Sequence, residues 1–216
     1  MLRDWSTFER LDSLYKQARI VKITDESKYI IFSDLHMGNR RSRDDFLTNS
    51  RMFMEVLENY YLPEGFTLVL NGDVEDLQRV SLKKIKTKWK DFYTLIERFH
   101  RQGRLIKIVG NHDIDLTIQK REGVNQNLEE AVRLVYGRDS ILVFHGHQAS
   151  HYRGWVNLAA GLILRFIAHP LWIKNFSLSH DNTRIRKTEQ QVYEYSNKKK
   201  ILTIIGHTHR PLFESM

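Results

Sequence analysis

Five short segments of the chain concentrate side chains able to ligate metal ions. They run from Ser33 to His36, with Asp34 and His36; Gly72 and Asp73; Gly110 to Asp113, with Asn111 and His112; His145 to His147; and Gly206 to His209, with His207 and His209. Six of the chain's 10 histidines fall inside them. There is no cysteine, so a bound transition metal must be held by imidazole nitrogen and by carboxylate or amide oxygen. That mixed set suits borderline divalent cations, namely manganese, iron, cobalt, nickel or zinc, and leaves positions open for water. A carboxylate shared between two cations would explain why so few acids are present. Each segment alone is ordinary: a Gly-Asp pair is a common turn, and the Asn and Asp of residues 110–113 could simply satisfy nearby backbone groups. Five such segments in series, each directly after an apolar run, argue for one metal site.

Those apolar runs are the elements that must position the site. Residues 29–32, 66–70, 105–109, 141–144 and 201–205 read as short buried strands. Residues 4–19 place Trp5, Phe8, Leu11, Leu14, Tyr15 and Ala18 at helical spacing. Residues 44–61 and 85–99 do the same with Phe46, Phe53, Leu57 and with Ile85, Trp89, Phe92, Ile96 and Phe99. Strand and helix in alternation predict an α/β layered fold, in which the carboxyl ends of strands bring residues remote in sequence to one edge.

The ordered pattern D-x-H, G-D, G-N-H-D, H-G, G-H-x-H resembles the signature of calcineurin-like metallophosphoesterases, from about residue 28 onward. The resemblance implies a hydrolase of phosphoester or pyrophosphate bonds with a binuclear metal centre, manganese being the expected metal, and attack by metal-activated water. By it, Asp34, His36 and His209 would hold one cation, Asn111, His145 and His207 the other, and Asp73 would bridge them. His112 would be catalytic, protonating or stabilising the leaving oxygen, with Asp113 orienting it. His147 is expected near the site rather than as a ligand. The implied fold is the family's α/β/β/α sandwich, as a single domain over residues 1–216. Related chains continue past the last motif with further strands, whereas Met216 follows His209 by seven residues. A fold lacking those C-terminal strands is therefore expected, with an exposed sheet edge through which the chain could oligomerise.

Residues 148–200 interrupt the alternation between two ligand segments and read as a helical insert. Their apolar stretch, with Phe166 and Trp172, and the basic group Arg184, Arg186 and Lys187 are similar to the lid of UDP-2,3-diacylglucosamine hydrolases. That similarity implies a lipid-linked nucleotide substrate, with Phe166, Trp172, Arg184 and Arg186 as substrate-binding candidates. The chain departs from those enzymes in carrying His112 where Arg is usual, and Val74, Glu75 and Asp76 after Asp73. A formal net charge of +8 favours anionic partners: a phosphorylated substrate, nucleic acid or an acidic membrane surface. The lysines at 83, 84, 86, 88 and 90 suit a nuclease, which with a cyclic-nucleotide phosphodiesterase is the alternative within the superfamily. A non-catalytic metal-binding interaction scaffold is the alternative of another class. The charged N-terminus and the lack of a long apolar run predict a cytoplasmic protein, with peripheral contact to the inner face of the membrane as its closest approach to lipid.

Overall fold

The computed structural model describes residues 2–116, 128–149 and 182–211. In chain order its elements are α1 (Leu2–Gln17), β1 (Arg19–Lys22), β2 (Tyr29–Phe32), α2 (Ser50–Val56), β3 (Thr67–Asn71), α3 (Leu82–Lys88), α4 (Lys90–Arg101), β4 (Leu105–Ile108), β5 (Leu128–Glu129), β6 (Ala131–Tyr136), β7 (Asp139–Phe144), α5 (Asn182–Lys199) and β8 (Leu202–Ile204). A π-helical turn, Leu57–Tyr61, continues α2. The fold is mixed α/β, as the alternation of patterns predicts. It divides into two compact units, Thr24–Glu129 and Met1–Ile23 with Glu130–Met216.

In the Thr24–Glu129 unit the sheet order is β2-β3-β4-β5, every pair parallel. Parallel strands need crossovers, which α2 supplies between β2 and β3 and α3 and α4 supply between β3 and β4. β3 is buried over nearly its whole length, which an apolar run without alternation requires. Helix α4 places Phe92, Leu95, Ile96 and Phe99 at i, i+3, i+4 and i+7, so one face is apolar and buried. These join Trp89, Phe46, Leu57, Leu68 and Leu70 in a single core. The sequence predicts one helix over 85–99, but two form, parted at Trp89 (φ −109°, ψ 36°). The indole N–H of Trp89 donates to Asp44 Oδ2 at 3.0 Å and the Arg40 guanidinium lies 4.4 Å over its ring, so tertiary contacts fix that residue. Residues 44–49 form turns rather than the expected start of a helix, and α2 begins at Ser50.

In the other unit the sheet order is β1-β6-β7-β8, with β6 antiparallel to β7 and the outer pairs parallel. β1 and β6 were not legible as strands in the residue pattern. β6 and β7 are joined by a two-residue turn in which Gly137 is left-handed (φ 57°). The unit has its own core, made by Leu11 and Leu14 of α1, Ala18 just after it, Leu142 and Phe144 of β7, and Val192 and Tyr195 of α5. The part of the expected insert covered by α5 is helical. Phe166 and Trp172 lie outside the described residues.

Candidate metal centre

Because β2, β3 and β4 are parallel and adjacent, their carboxyl ends share one edge of their sheet, and the first three ligand segments begin there. Backbone hydrogen bonds lace these loops together: Asp34 N–H donates to Gly72 O, His36 N–H to Asp73 O, Met37 N–H to Val74 O, and Leu77 N–H to His112 O. His112 N–H donates to Asp73 Oδ1 at 2.8 Å. Gly110 is obligatory in this packing, because a Cβ there would lie 2.1 Å from Asp73 Oδ1 and 2.3 Å from Asp73 N.

The side chains converge accordingly. His36 Nε2 lies 3.8 Å from Asp34 Oδ1 and 3.9 Å from Asp73 Oδ2. The His36 and His112 rings meet edge to face with centroids 4.7 Å apart, and His36, Asp73 and His112 each bring a ligand atom within 4.8 Å of the others. Burial lowers the pKa of His36 against the opposing pull of Asp73, which favours the neutral imidazole that a metal requires. Asn111 occupies the loop beside His112, where its backbone carbonyl accepts from Gln78 Nε2.

His112 has a different partner from the one expected. Its Nδ1 lies 3.1 Å from Asp76 Oδ1, and Asp76 in turn lies 3.4 Å from Arg79 Nε. Asp113 faces the backbone instead, accepting the N–H of Gly110 at 2.6 Å and of Val74 at 3.0 Å. It braces two ligand loops rather than orienting the imidazole. Complete burial and the nearby charges of Asp73 and Glu75 push the Asp113 carboxyl up to about 7; a cation on Asp73 would relieve part of that repulsion. Burial alone would lower the His112 pKa, but the hydrogen bond to Asp76 and the charge of Asp73 outweigh it, and the net shift is upward. Asp76 and Arg79 were missed in the sequence, where the usable signal was a further carboxylate three residues after Asp73. A partly buried pair was missed too: Lys107 Nζ contacts both carboxylate oxygens of the buried Glu75 (2.5 and 2.7 Å), and Tyr93 Oη donates to the same group at 2.8 Å.

The second unit presents the other histidines. β7 and β8 are parallel, so their carboxyl ends bring residues 145–147 and 206–209 side by side, tied by Gly206 N–H to His145 O. The His145 and His207 ring centroids are 5.2 Å apart, and His147, in a 3-10 turn, stands 5.5 Å from His145. His145 is fully buried and His209 is exposed. Gly146 has φ 119°, and a Cβ on it would approach the His207 Cβ to 3.2 Å. Arg186 is exposed on α5, and Arg184 belongs to the same helix.

The residues present fit divalent metal. Two donors that each stand about 2 Å from one cation lie roughly 3 to 4 Å apart, and the His36 separations from Asp34 and Asp73 match this. The backbone agrees independently. Asp34, His36, Asp73, His207 and His209 are all left-handed, with φ between 48° and 70°, a region that β-carbon sterics make costly and that concentrates at functional sites. Comparison with protein families gives a match over residues 28–216 to the calcineurin-like phosphoesterase superfamily domain. No curated protein matches the chain. The match is to the superfamily and gives no support to the narrower likeness to UDP-2,3-diacylglucosamine hydrolases.

Proposed function

The chain belongs to the calcineurin-like phosphoesterase superfamily, and from that membership we propose that it hydrolyses a phosphoester or pyrophosphate bond with two divalent cations as cofactors. One observation carries the reading: three parallel strands end together and bring His36 Nε2 to 3.8 Å from Asp34 Oδ1 and 3.9 Å from Asp73 Oδ2, with the His112 ring beside them. In this reading Asp34, His36 and His209 hold one cation, Asn111, His145 and His207 hold the other, and Asp73 serves both. Bound there, divalent cations supply Lewis acidity toward the phosphoryl oxygens and the attacking water. Asp76 fixes the imidazole of His112 through Nδ1 and stabilises its protonated form, so that His112 can deliver a proton to the leaving oxygen. Gly110, Asp113 and the inter-loop hydrogen bonds hold these groups in register without touching the substrate.

The lipid-linked nucleotide reading rests on Arg184 and Arg186 of α5 and on Phe166 and Trp172, which lie outside the described residues, and Val74, Glu75, Asp76 and His112 depart from it. It enters as one arm of the test. Protein stripped with chelator and reloaded with manganese should hydrolyse at least one of an aryl phosphodiester, a cyclic nucleotide, single-stranded DNA and a lipid-linked nucleotide diphosphate, and chelator should abolish that turnover. Turnover of none, with partner binding unchanged by chelation, would instead identify a scaffold.

A further inference from the structure

Between Arg79 and Lys90 the chain carries six cations, Arg79, Lys83, Lys84, Lys86, Lys88 and Lys90, and no acid. Helix α3 buries Ile85 and turns Lys83, Lys84, Lys86 and Lys88 to solvent. Exposed cations on neighbouring elements have carboxylate partners: Arg51 with Glu55, Arg98 with Glu58 and Arg101 with Glu97. Among the described residues the lysines of this segment have none. Lys83 and Lys84 also occupy the first helical turn, where the macrodipole disfavours positive charge, so the fold alone gives no reason for them.

Both ends of this segment lead back to the ligand loops. At the first, Arg79 contacts Asp76, the carboxylate that holds His112. At the second, Arg40, four residues after His36, donates to Lys88 O at 3.0 Å, pairs with Asp91 at 2.8 Å and stacks on Trp89. Asp44 anchors the same loop by accepting Arg40 N–H at 2.6 Å, which leaves Arg41 exposed beside Arg40. The lysine array is about 10 Å long at 1.5 Å per residue, more than one phosphate can engage and suited to several in succession. Its outward face carries no large apolar side chain to enter a bilayer.

We propose that the exposed face of α3, from Arg79 to the Arg40 loop, is a track for the phosphodiester backbone of a nucleic-acid strand, which makes polynucleotide the substrate class of the site. The proposal rests on the hydrolase reading above. Its contacts are with phosphate, so it confers affinity without sequence preference.

The test measures binding in chelator, separately from turnover. Fluorescence anisotropy of labelled oligothymidylate should show binding whose logarithm falls with log salt at about −0.7 per phosphate contact. Replacing Lys83, Lys84, Lys86 and Lys88 by Gln should weaken it by about tenfold or more and flatten the slope by about 3, whereas replacing them by Arg should preserve both. Removing equal charge elsewhere, at Lys22, Arg138, Lys198 and Lys200, should change affinity several-fold less. Equal loss from both sets, loss in the Arg variant, no binding at low salt, or stronger binding to anionic phosphatidylserine vesicles would each overturn the proposal. Failure of the wild-type, manganese-loaded protein to hydrolyse any phosphoester would remove the hydrolase reading while leaving the binding result to be judged separately.

Discussion

At the scale of single residues, Asp76 and Asp113 separate two roles that adjacent carboxylates easily confuse. Asp76 is hydrogen-bonded to an imidazole that must move a proton, while Asp113 accepts two backbone N–H groups. Asp76→Asn should therefore keep metal content and fold while lowering turnover, within the roughly 10²- to 10⁴-fold range of general acid–base catalysis. The loss should be greater for alkyl than for aryl leaving groups; equal losses would remove His112 as the proton donor. Asp113→Ala should act first on stability, since each buried N–H left without an acceptor costs on the order of 1–3 kcal/mol. Denaturant unfolding reads that directly, and an unchanged midpoint would refute the bracing role. Asp73→Asn should lower metal occupancy at both positions by elemental analysis, and full occupancy would show that its carboxylate is not shared.

At the scale of elements, the parallel strands act through their loops, and the loops act through close backbone approach. Gly110→Ala should displace Asp73, because the added methyl would overlap its carboxylate and its amide. We expect both lower metal affinity and lower stability, whereas a substitution at a merely flexible glycine would change only the second. The break between α3 and α4 is a comparable case. Ile85, Trp89, Phe92, Ile96 and Phe99 continue one helical period across it, so nothing in the spacing marks an interruption. Trp89 is held by Asp44 and Arg40, contacts made from over 40 residues away. The same contacts bring the Arg40 loop to the end of the lysine helix.

At the scale of the whole molecule, each compact unit carries part of the candidate ligand set and has its own core. Metal that binds the folded chain in preference to the unfolded one must stabilise it, by about 2.7 kcal/mol at a free concentration 100 times the dissociation constant. For a chain of this size that is a rise in Tm of roughly 5–10 °C. Manganese should produce the rise, chelator should reverse it, and Asp73→Asn should reduce it; a Tm indifferent to metal in the wild type would count against a folded-state metal site.

The sequence by itself determined the α/β class, the strand at 29–32, the strand at 105–108 to within one residue, and the candidate ligand residues. Ligand chemistry is a property of residue type, and an apolar run ending in Gly, Asp, Asn or His is visible without coordinates. The superfamily was legible for the same reason, and the match over residues 28–216 agrees. Tertiary structure decided what depends on distance rather than type. Asp113 lies inside a ligand segment and Asp76 three residues beyond another, and which of these carboxylates meets His112 follows from loop register, set by bonds such as Asp76 N–H to Met37 O and Leu77 N–H to His112 O. The left-handed backbone at Asp34, His36 and Asp73 is likewise invisible in residue types that usually avoid it. The joining of Arg40 to α3 belongs here as well, since long-range contacts bring together charges that the sequence shows as two separate basic segments.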